Sequence, residues 1–382
     1  MGSTCRQHLL VNCSNLHVGG AVAVASSFID SLSRRPDSGL EVSLLLSSSV
    51  AANLNSLGTE LGGFAGVQIV DFYGMRSLWQ GLSAHFAHAD VVFTVFGPAY
   101  VLSKGKRHVC GFAQPLILYP SNPVERGLPL LARLVHRLKY KVQELFFARA
   151  DELVVELEHV KRGLERKWLF RSKPIHIVYS TVDAVFRDPA RWAPIQMPGR
   201  GGEIRLGVIS RNYTHKNLAS LPALRRELQA RHGLAVEFFV TFTAAEWQAC
   251  HEEFRRTIHN VGPLMLSQCP SFYAALDGVI FPSLLECFSA VPLEAMLMRK
   301  PLFASDLPFI RDCCHEHAQY FDPLDIASMA HAIASYFQSA RADEKSAALD
   351  RAQQFVSRYP SADERAHAYL AIALGALPPF PP

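Results

Sequence analysis

Two carboxylates, Glu286 and Glu294, stand with seven residues between them in "FPSLLECFSAVPLEAM", residues 281–296. A carboxylate accepts paired hydrogen bonds from vicinal hydroxyls, so the pair suits a ligand with two hydroxylated rings, a ribose on Glu294 and a sugar on Glu286. The apolar run ending at Phe281 puts Glu286 in the loop at a strand's carboxyl end. Pro292 suits the first turn of the helix that follows, where its missing N–H costs nothing, and places Glu294 within that turn, facing the ligand. Free backbone N–H groups around Phe288 and Ser289 would then face phosphates or the sugar. Two other readings exist: Glu294 complements the helix dipole while Glu286 is solvated, or the two act as acid and base on a glycosidic bond.

Two cations accompany this element. Arg211 and Lys216, in "SRNYTHKNL", follow the strand-like "IRLGVI". A forked guanidinium and a compact ammonium at a strand's carboxyl edge can clamp a diphosphate; alone they would equally fit a solvated turn. Their place in the same half as the two glutamates ranks the sugar-binding reading first. In the first half, Gly19 and Gly20 lie between a strand ending near Cys13 and a helix of small residues, so a phosphate or sugar could approach the backbone, although a tight turn explains the pair as well. No G-x-G-x-x-G follows any strand, which disfavours a nicotinamide oxidoreductase. Cys313, Cys314, His315 and His317 match no common zinc spacing and read as a polar stretch with buried thiols.

These residues need elements to carry them. Apolar β-rich runs recur at 8–13, 90–96, 108–112, 152–156 and 175–179, then at 204–209, 235–242, 278–281 and 301–304, each followed by a turn and a helix-like segment. Near-continuous apolar strands alternating with helices indicate parallel sheets covered on both faces. The fold class is α/β, two doubly wound Rossmann-like domains with an interdomain cleft, whose ligands belong outside the carboxyl ends of the strands. The boundaries read as 1–186 for an acceptor-binding domain, 187–202 for a linker rich in Pro and Gly, 203–358 for a nucleotide-sugar domain and 359–382 for a C-terminal helix returning to the first domain. Ser361 with Glu364 has the spacing of a capping box before that helix, and the chain closes on "LPPFPP".

The 382 residues are 49% apolar and 19% charged, the composition of a folded chain long enough for two cores. Eight scattered cysteines without a Cys-x-x-Cys pair, and no secretory leader, fit a reducing cytoplasm. The formal charge of +4 permits an acidic ligand or anionic surface without demanding a nucleic acid.

Together, the glycine loop, the Arg/Lys pair and the Glu-x7-Glu element resemble the retaining GT-B glycosyltransferases of family 4, the glycosyl transferases of group 1. "GVISRNYTHKN", "NVGPLMLSQCPSFYAALDGVIFPSLLECFSAVPLEAM", "KPLFASDLPFIRD" and "AQYFDPLD" carry the likeness in the second half, "NLHVGGAVAVASSFI" in the first, and "IVYSTVDAVF" between them. The resemblance implies that Glu286 contacts the donor sugar, Glu294 the ribose, and Arg211 and Lys216 the donor diphosphate. Three positions depart from the family: Cys287, Phe288 and Ser289 stand where Gly-Phe-Gly is frequent, Ser180 and Thr181 replace Asn-Gly, and the first-domain His near the anomeric carbon has Gln114 as its nearest counterpart. Gln114 would face the reacting carbon or serve as a structural strand-end residue.

The implied reaction transfers a hexosyl unit from a GDP- or UDP-linked sugar with its anomeric configuration kept. No Asp-x-Asp occurs, and neither metal nor other cofactor is expected. "RGLPLLARLVHRLKYKVQELFFARA" sets Arg126, Arg133, Arg137, Lys139, Lys141 and Arg149 among Leu, Val and Phe, with Lys104, Lys106 and Arg107 upstream. It suits an anionic membrane surface, hence a saccharide or lipid-linked saccharide acceptor for envelope polysaccharide at the inner face of a bacterial membrane. The same pattern also fits a helix packing its apolar side on its own sheet. A GT-B sugar-nucleotide epimerase and a non-catalytic nucleotide-sugar-binding subunit are the alternative functions.

Overall fold

The computed structural model describes residues 6–35 and 40–376. Cys5 and the closing "LPPFPP" lie outside the described residues. The chain divides into two compact units, the first taking residues up to Pro120, Pro129–Thr181 and Pro360 onward, the second Ser121–Leu128 and Val182–Tyr359.

The first unit is built on seven parallel strands: β1 (Gln7–Cys13), β2 (Leu40–Leu46), β3 (Gly66–Ile69), β4 (Val91–Thr94), β5 (Arg107–Gly111), β6 (Glu152–Val155) and β7 (Ile175–Ile177), in the order β3-β2-β1-β4-β5-β6-β7. The central strands are apolar without alternation because helices cover both faces, and all four residues of β4 are buried. The Gly20–Ser33 helix turns Val22, Ala25, Phe28, Ile29 and Leu32 inward at helical spacing. Phe28 meets Phe93 of β4 edge-on at 5.5 Å and Tyr369 at 5.2 Å. Tyr369 lies on the Ala362–Ala373 helix, which starts with a complete capping box between Ser361 and Glu364. At its other end, Arg107 donates from its two terminal nitrogens to the carbonyls of Ile372 and Ala373, each at 2.8 Å, satisfying acceptors the helix leaves open. Gly111 stands where a Cβ would strike the Val95 carbonyl, so β5 can lie this close to the end of β4 only as glycine.

The second unit has six parallel strands, β8 (Ile204–Val208), β9 (Val236–Val240), β10 (His259–Asn260), β11 (Gly278–Phe281), β12 (Leu302–Ser305) and β13 (Gln319–Phe321), in the order β10-β9-β8-β11-β12-β13. The segment 187–202 includes the short Pro189–Arg191 turn, and the Trp192 indole donates to the Val185 carbonyl at 2.8 Å.

Each sheet reverses its strand order at one place, between β1 and β4 in the first unit and between β8 and β11 in the second. Loops leaving a reversal point diverge to opposite sides and open a crevice at the carboxyl ends of the two strands. Among the described residues no helix is long and apolar enough to cross a membrane.

Candidate functional site

The reversal point of the second unit carries the residues whose chemistry the sequence singles out. The loop after β8 leads to the short turn Thr214–Lys216, and the loop after β11 leads through Ser283 and Glu286 to the helix Ala290–Leu297. The two loops are fastened by the Leu284 N–H, which donates to the His215 carbonyl at 2.7 Å. Lys216 Nζ then reaches Glu286 Oε1 at 2.5 Å, and Ser283 Oγ donates to the same oxygen at 2.8 Å. Lys216 also stands 5.2 Å from the centre of the Phe281 ring, whose face favours a cation. Glu286 is buried, so its charge needs these partners. Among the described residues both bonds fall on Oε1, which leaves Oε2 to accept from a ligand.

Glu294 is arranged in the same way. The fully buried Tyr273, on the Cys269–Ala274 helix, donates its hydroxyl to Glu294 Oε2 at 2.7 Å, leaving Oε1. Burial pushes the Glu294 carboxyl up to about 7; the Tyr273 bond opposes the rise and the charge of Asp183 adds to it. Glu294 is not in the first helical turn as its distance from Pro292 suggests: the helix begins at Ala290, Pro292 is its third residue and Glu294 its fifth. The dipole reading of Glu294 therefore fails, because the effect is confined to the first turn. Ser289 is the N-cap residue with extended backbone and makes no side-chain cap, so the N–H groups at the helix start are not satisfied from that side chain. Phe288 precedes it, half-buried.

Arg211 stands in the loop after β8, about half exposed, with its Nε donating to both carboxylate oxygens of Glu246 at 2.8 and 2.9 Å. Partial burial works against the Glu246 charge, but bonds from the Thr243 N–H, Arg211 and the Thr243 hydroxyl outweigh it and hold the carboxyl at about 2. Each of the two cations is thus aimed by a carboxylate of its own. Burial lowers the His215 pKa, with Glu286 opposing, and its Nε2 lies 3.9 Å from Glu286 Oε1.

In the first unit, Gly19 and Gly20 follow β1 at that sheet's reversal point. Gly19 adopts φ 73° and ψ −158°, a conformation that the turn itself reserves for glycine, while a Cβ on Gly20 would meet nothing within 4 Å. Gln114 follows β5. Its side-chain amide donates to Gln143 at 3.2 Å, and its carbonyl accepts from the Ile117 N–H at 3.2 Å. The side-chain amide and the backbone carbonyl of Gln114 are thus both engaged within the unit, in keeping with the structural reading of this residue. Cys313 and Cys314 are buried free thiols, and the His317 ring lies 4.9 Å from that of Phe355; among the described residues no three His, Cys, Asp or Glu side chains gather where a metal ion could be held.

Tyr273, Ser283, Glu246 and Asp183 escape the sequence reading. Ser283, three residues before Glu286, and Asp183, within "IVYSTVDAVF", are the members of this set with a local signal. Tyr273 and Glu246 come from other helices, and only the folded topology sets them beside Glu294 and Arg211.

Residues 205–339 match the family model described as glycosyl transferases group 1. Arg211, Lys216, Glu286, Phe288, Ser289 and Glu294 all fall inside the matched segment. No curated protein matches the sequence. Solved structures do match over nearly the whole chain. HepE of Anabaena, in complex with UDP-glucose, has a TM-score of 0.68 at 12% identity, covering 96% of this chain and 99% of that one. A glycosyltransferase from Rickettsia africae gives 0.66 at 12% identity, covering 97% and 98%. TarM of S. aureus, solved with UDP among its ligands, gives 0.61 at 10% identity, covering 96% and 99%. At such identities the likeness speaks for the fold, two parallel sheets with helices in the GT-B arrangement.

Proposed function

We propose, from a GT-B fold whose second unit matches the group 1 glycosyl transferases, that this protein moves a hexosyl unit from a GDP- or UDP-linked sugar to a saccharide acceptor with retention of configuration. The observation that carries the reading is the pair of half-satisfied carboxylates, Glu286 and Glu294, each with one oxygen fixed by the protein and the other left for a hydroxyl. UDP or UDP-glucose in the HepE and TarM structures supports a nucleotide-sugar donor.

In this mechanism Glu294 accepts from the ribose hydroxyls and Glu286 from those of the transferred sugar, beside Phe288 and Ser289. Lys216 spends one N–H on Glu286 and offers the others to the diphosphate, together with the terminal nitrogens of Arg211 and the uncapped helix start after Ser289. In the first unit, Gly20 and the turn that Gly19 makes leave the backbone unobstructed, as close approach of a phosphate or sugar requires. The bond between the anomeric carbon and the diphosphate oxygen breaks, and the fixed cations stabilise the charge left on that oxygen. The leaving phosphate takes the acceptor hydroxyl's proton, and the acceptor oxygen bonds the anomeric carbon on the face the phosphate leaves, so configuration is kept without a protein nucleophile. Charge neutralisation by Arg211 and Lys216 lets the reaction run without a metal. Gln114 positions the helix bearing Gln143 and takes no part in the chemistry. The acceptor is a lipid-linked saccharide of an envelope polysaccharide, of O-antigen type, handled on the cytoplasmic face of a bacterial membrane.

The test is release of nucleoside diphosphate from a panel of sugar nucleotides, with and without a lipid-linked saccharide acceptor, and the anomeric configuration of the product by NMR. Acceptor-dependent release with retention is the expected result. Conversion of the donor alone would make the protein an epimerase, and binding without turnover a non-catalytic subunit; either overturns the transferase reading.

A further inference from the structure

The Leu130–Phe147 helix of the first unit faces the wrong way for an ordinary surface helix. A helix on a globular domain turns its apolar stripe to the core. Here the residues it buries are Glu144 and Phe147, whereas Leu130, Leu131, Leu134, Val135, Leu138 and Leu145 are 56% to 77% exposed. At about 100° per residue those six fall within an arc of roughly 140° that points to solvent, interrupted by Lys141, whose exposed side chain reaches back to Glu144 at 2.7 Å. The helix is seated by its other side: Gln143 accepts from Gln114 at 3.2 Å, Glu144 accepts from Lys167 at 3.1 Å, and Phe147 packs on Phe112 with ring centres 4.6 Å apart. Of the two orientations the sequence allows, the structure has the apolar side outward.

The charges around the stripe define what covers it. Arg137 borders it on one side and Lys139 on the other, both exposed, with Arg133 beyond Arg137. The helix has a single acidic residue, Glu144, and that one is buried. The upstream cations do not contribute, because Lys104, Lys106 and Arg107 are held by Asp151, Asp90 and Glu152. Near the helix's C-terminal end, Arg149 donates to the carbonyl of Leu102, and Trp168 follows the Lys167 that holds Glu144; Leu102 and Trp168 are 71% and 76% exposed. An apolar stripe between cationic borders, with an exposed indole near one end, matches a bilayer surface, whose acyl boundary takes the leucines while anionic headgroups meet the cations. A second copy of this chain fits poorly: a two-fold contact through the stripe would set the Arg137 and Lys139 borders of both copies together with no exposed acid on the helix to meet them.

We infer that the Leu130–Phe147 helix lies in the plane of an anionic membrane and holds the enzyme at its surface. The inference deepens the proposed function, resting on it for why a transferase should be there, since a lipid-linked acceptor is presented at that surface; the binding itself requires no turnover. The test is flotation of the full chain with vesicles of phosphatidylglycerol and phosphatidylethanolamine, compared with pure phosphatidylcholine, alongside its oligomeric state by light scattering. The wild type is expected to float with the anionic vesicles and to be released by high salt. Leu134→Glu with Leu138→Glu should abolish flotation while the melting temperature stays unchanged, because both side chains are exposed. Arg137→Glu and Lys139→Glu should each weaken binding to the anionic vesicles by at least about fivefold. Absence of flotation in the wild type, or flotation indifferent to the leucine changes, overturns the inference. So does a wild-type dimer that the leucine changes split in the absence of vesicle binding. Flotation by a protein that turns over no sugar nucleotide would instead leave this inference standing and remove the transferase reading.

Discussion

Tyr273 donates its hydroxyl to Glu294 Oε2 across 2.7 Å, from the Cys269–Ala274 helix to the Ala290–Leu297 helix. A phenol with no exposed surface has one rotamer and one partner here, so it fixes the carboxylate plane and decides which oxygen a ligand meets. Tyr273→Phe keeps the ring packing and removes that bond. A hydrogen bond to a charged group is worth about 1.5–3 kcal/mol, so the donor KM should rise roughly tenfold or more with kcat little changed. Steady-state kinetics separate this from a structural role, which would lower kcat and the melting temperature together.

Donor affinity should depend on pH through Glu294, whose carboxyl burial raises to about 7. Ribose hydroxyls donate best to the ionised form, so affinity is expected to fall as pH drops through about 7. Stability runs the other way. The folded chain keeps this proton to a higher pH than the unfolded chain, so the group costs stability as pH rises from the ordinary carboxyl range to about 7, and the cost is constant above that. Tyr273→Phe removes a bond that favours the ionised form and should shift the affinity inflection upward, while Glu294→Gln should abolish it. Calorimetric titration with the preferred donor from pH 5.5 to 8.5 reads all three.

Removing one partner of the Lys216–Glu286 pair should be worse than removing both. Both side chains are largely buried, and Lys216→Met leaves Glu286 charged with Ser283 as its remaining donor at hydrogen-bond distance. The expected loss is about 3 kcal/mol of stability in urea unfolding. Lys216→Met combined with Glu286→Gln should recover most of it, and neither variant should transfer sugar.

Two glycines should respond in opposite ways. Gly111→Ala drives a methyl into the Val95 carbonyl and is expected to abolish soluble folded protein, whereas Gly20→Ala adds a methyl to open space and should leave the melting temperature unchanged. Circular dichroism melts check both. Loss of donor binding in the well-folded Gly20→Ala would place the ligand against that backbone.

The central strands are legible in the sequence because burial on both faces writes them as unbroken apolar runs; Gly278–Phe281 is found at the expected residues, and β1, β4, β5, β6, β8, β9 and β12, with the edge strand β7, to within a few. The strands passed over are those whose surroundings do not impose that signal. β3, β10 and β13 are sheet edges, with β3 mostly exposed and β10 only two residues long, and β2 is interrupted by Glu41 and Ser43. The site divides on similar lines. Glu286, Glu294, Arg211 and Lys216 are visible because unusual polar residues follow apolar strands. Tyr273 looks like any core aromatic, and Glu246 like any capping residue, until the fold sets them against Glu294 and Arg211. The Leu130–Phe147 stretch shows its amphipathicity in the sequence, but periodicity alone has no sign, and which face turns inward depends on contacts such as those of Gln114 and Lys167.

If the second unit holds a nucleotide-diphosphate sugar through Glu286 and Glu294, calorimetric titration of UDP-, GDP-, ADP- and dTDP-sugars will show it on the wild type, Glu286→Ala and Glu294→Ala. One nucleotide class should bind the wild type. Glu294→Ala should weaken both the sugar nucleotide and the bare nucleoside diphosphate, and Glu286→Ala mainly the sugar nucleotide. Binding of no nucleotide, or binding that neither variant weakens, would contradict it.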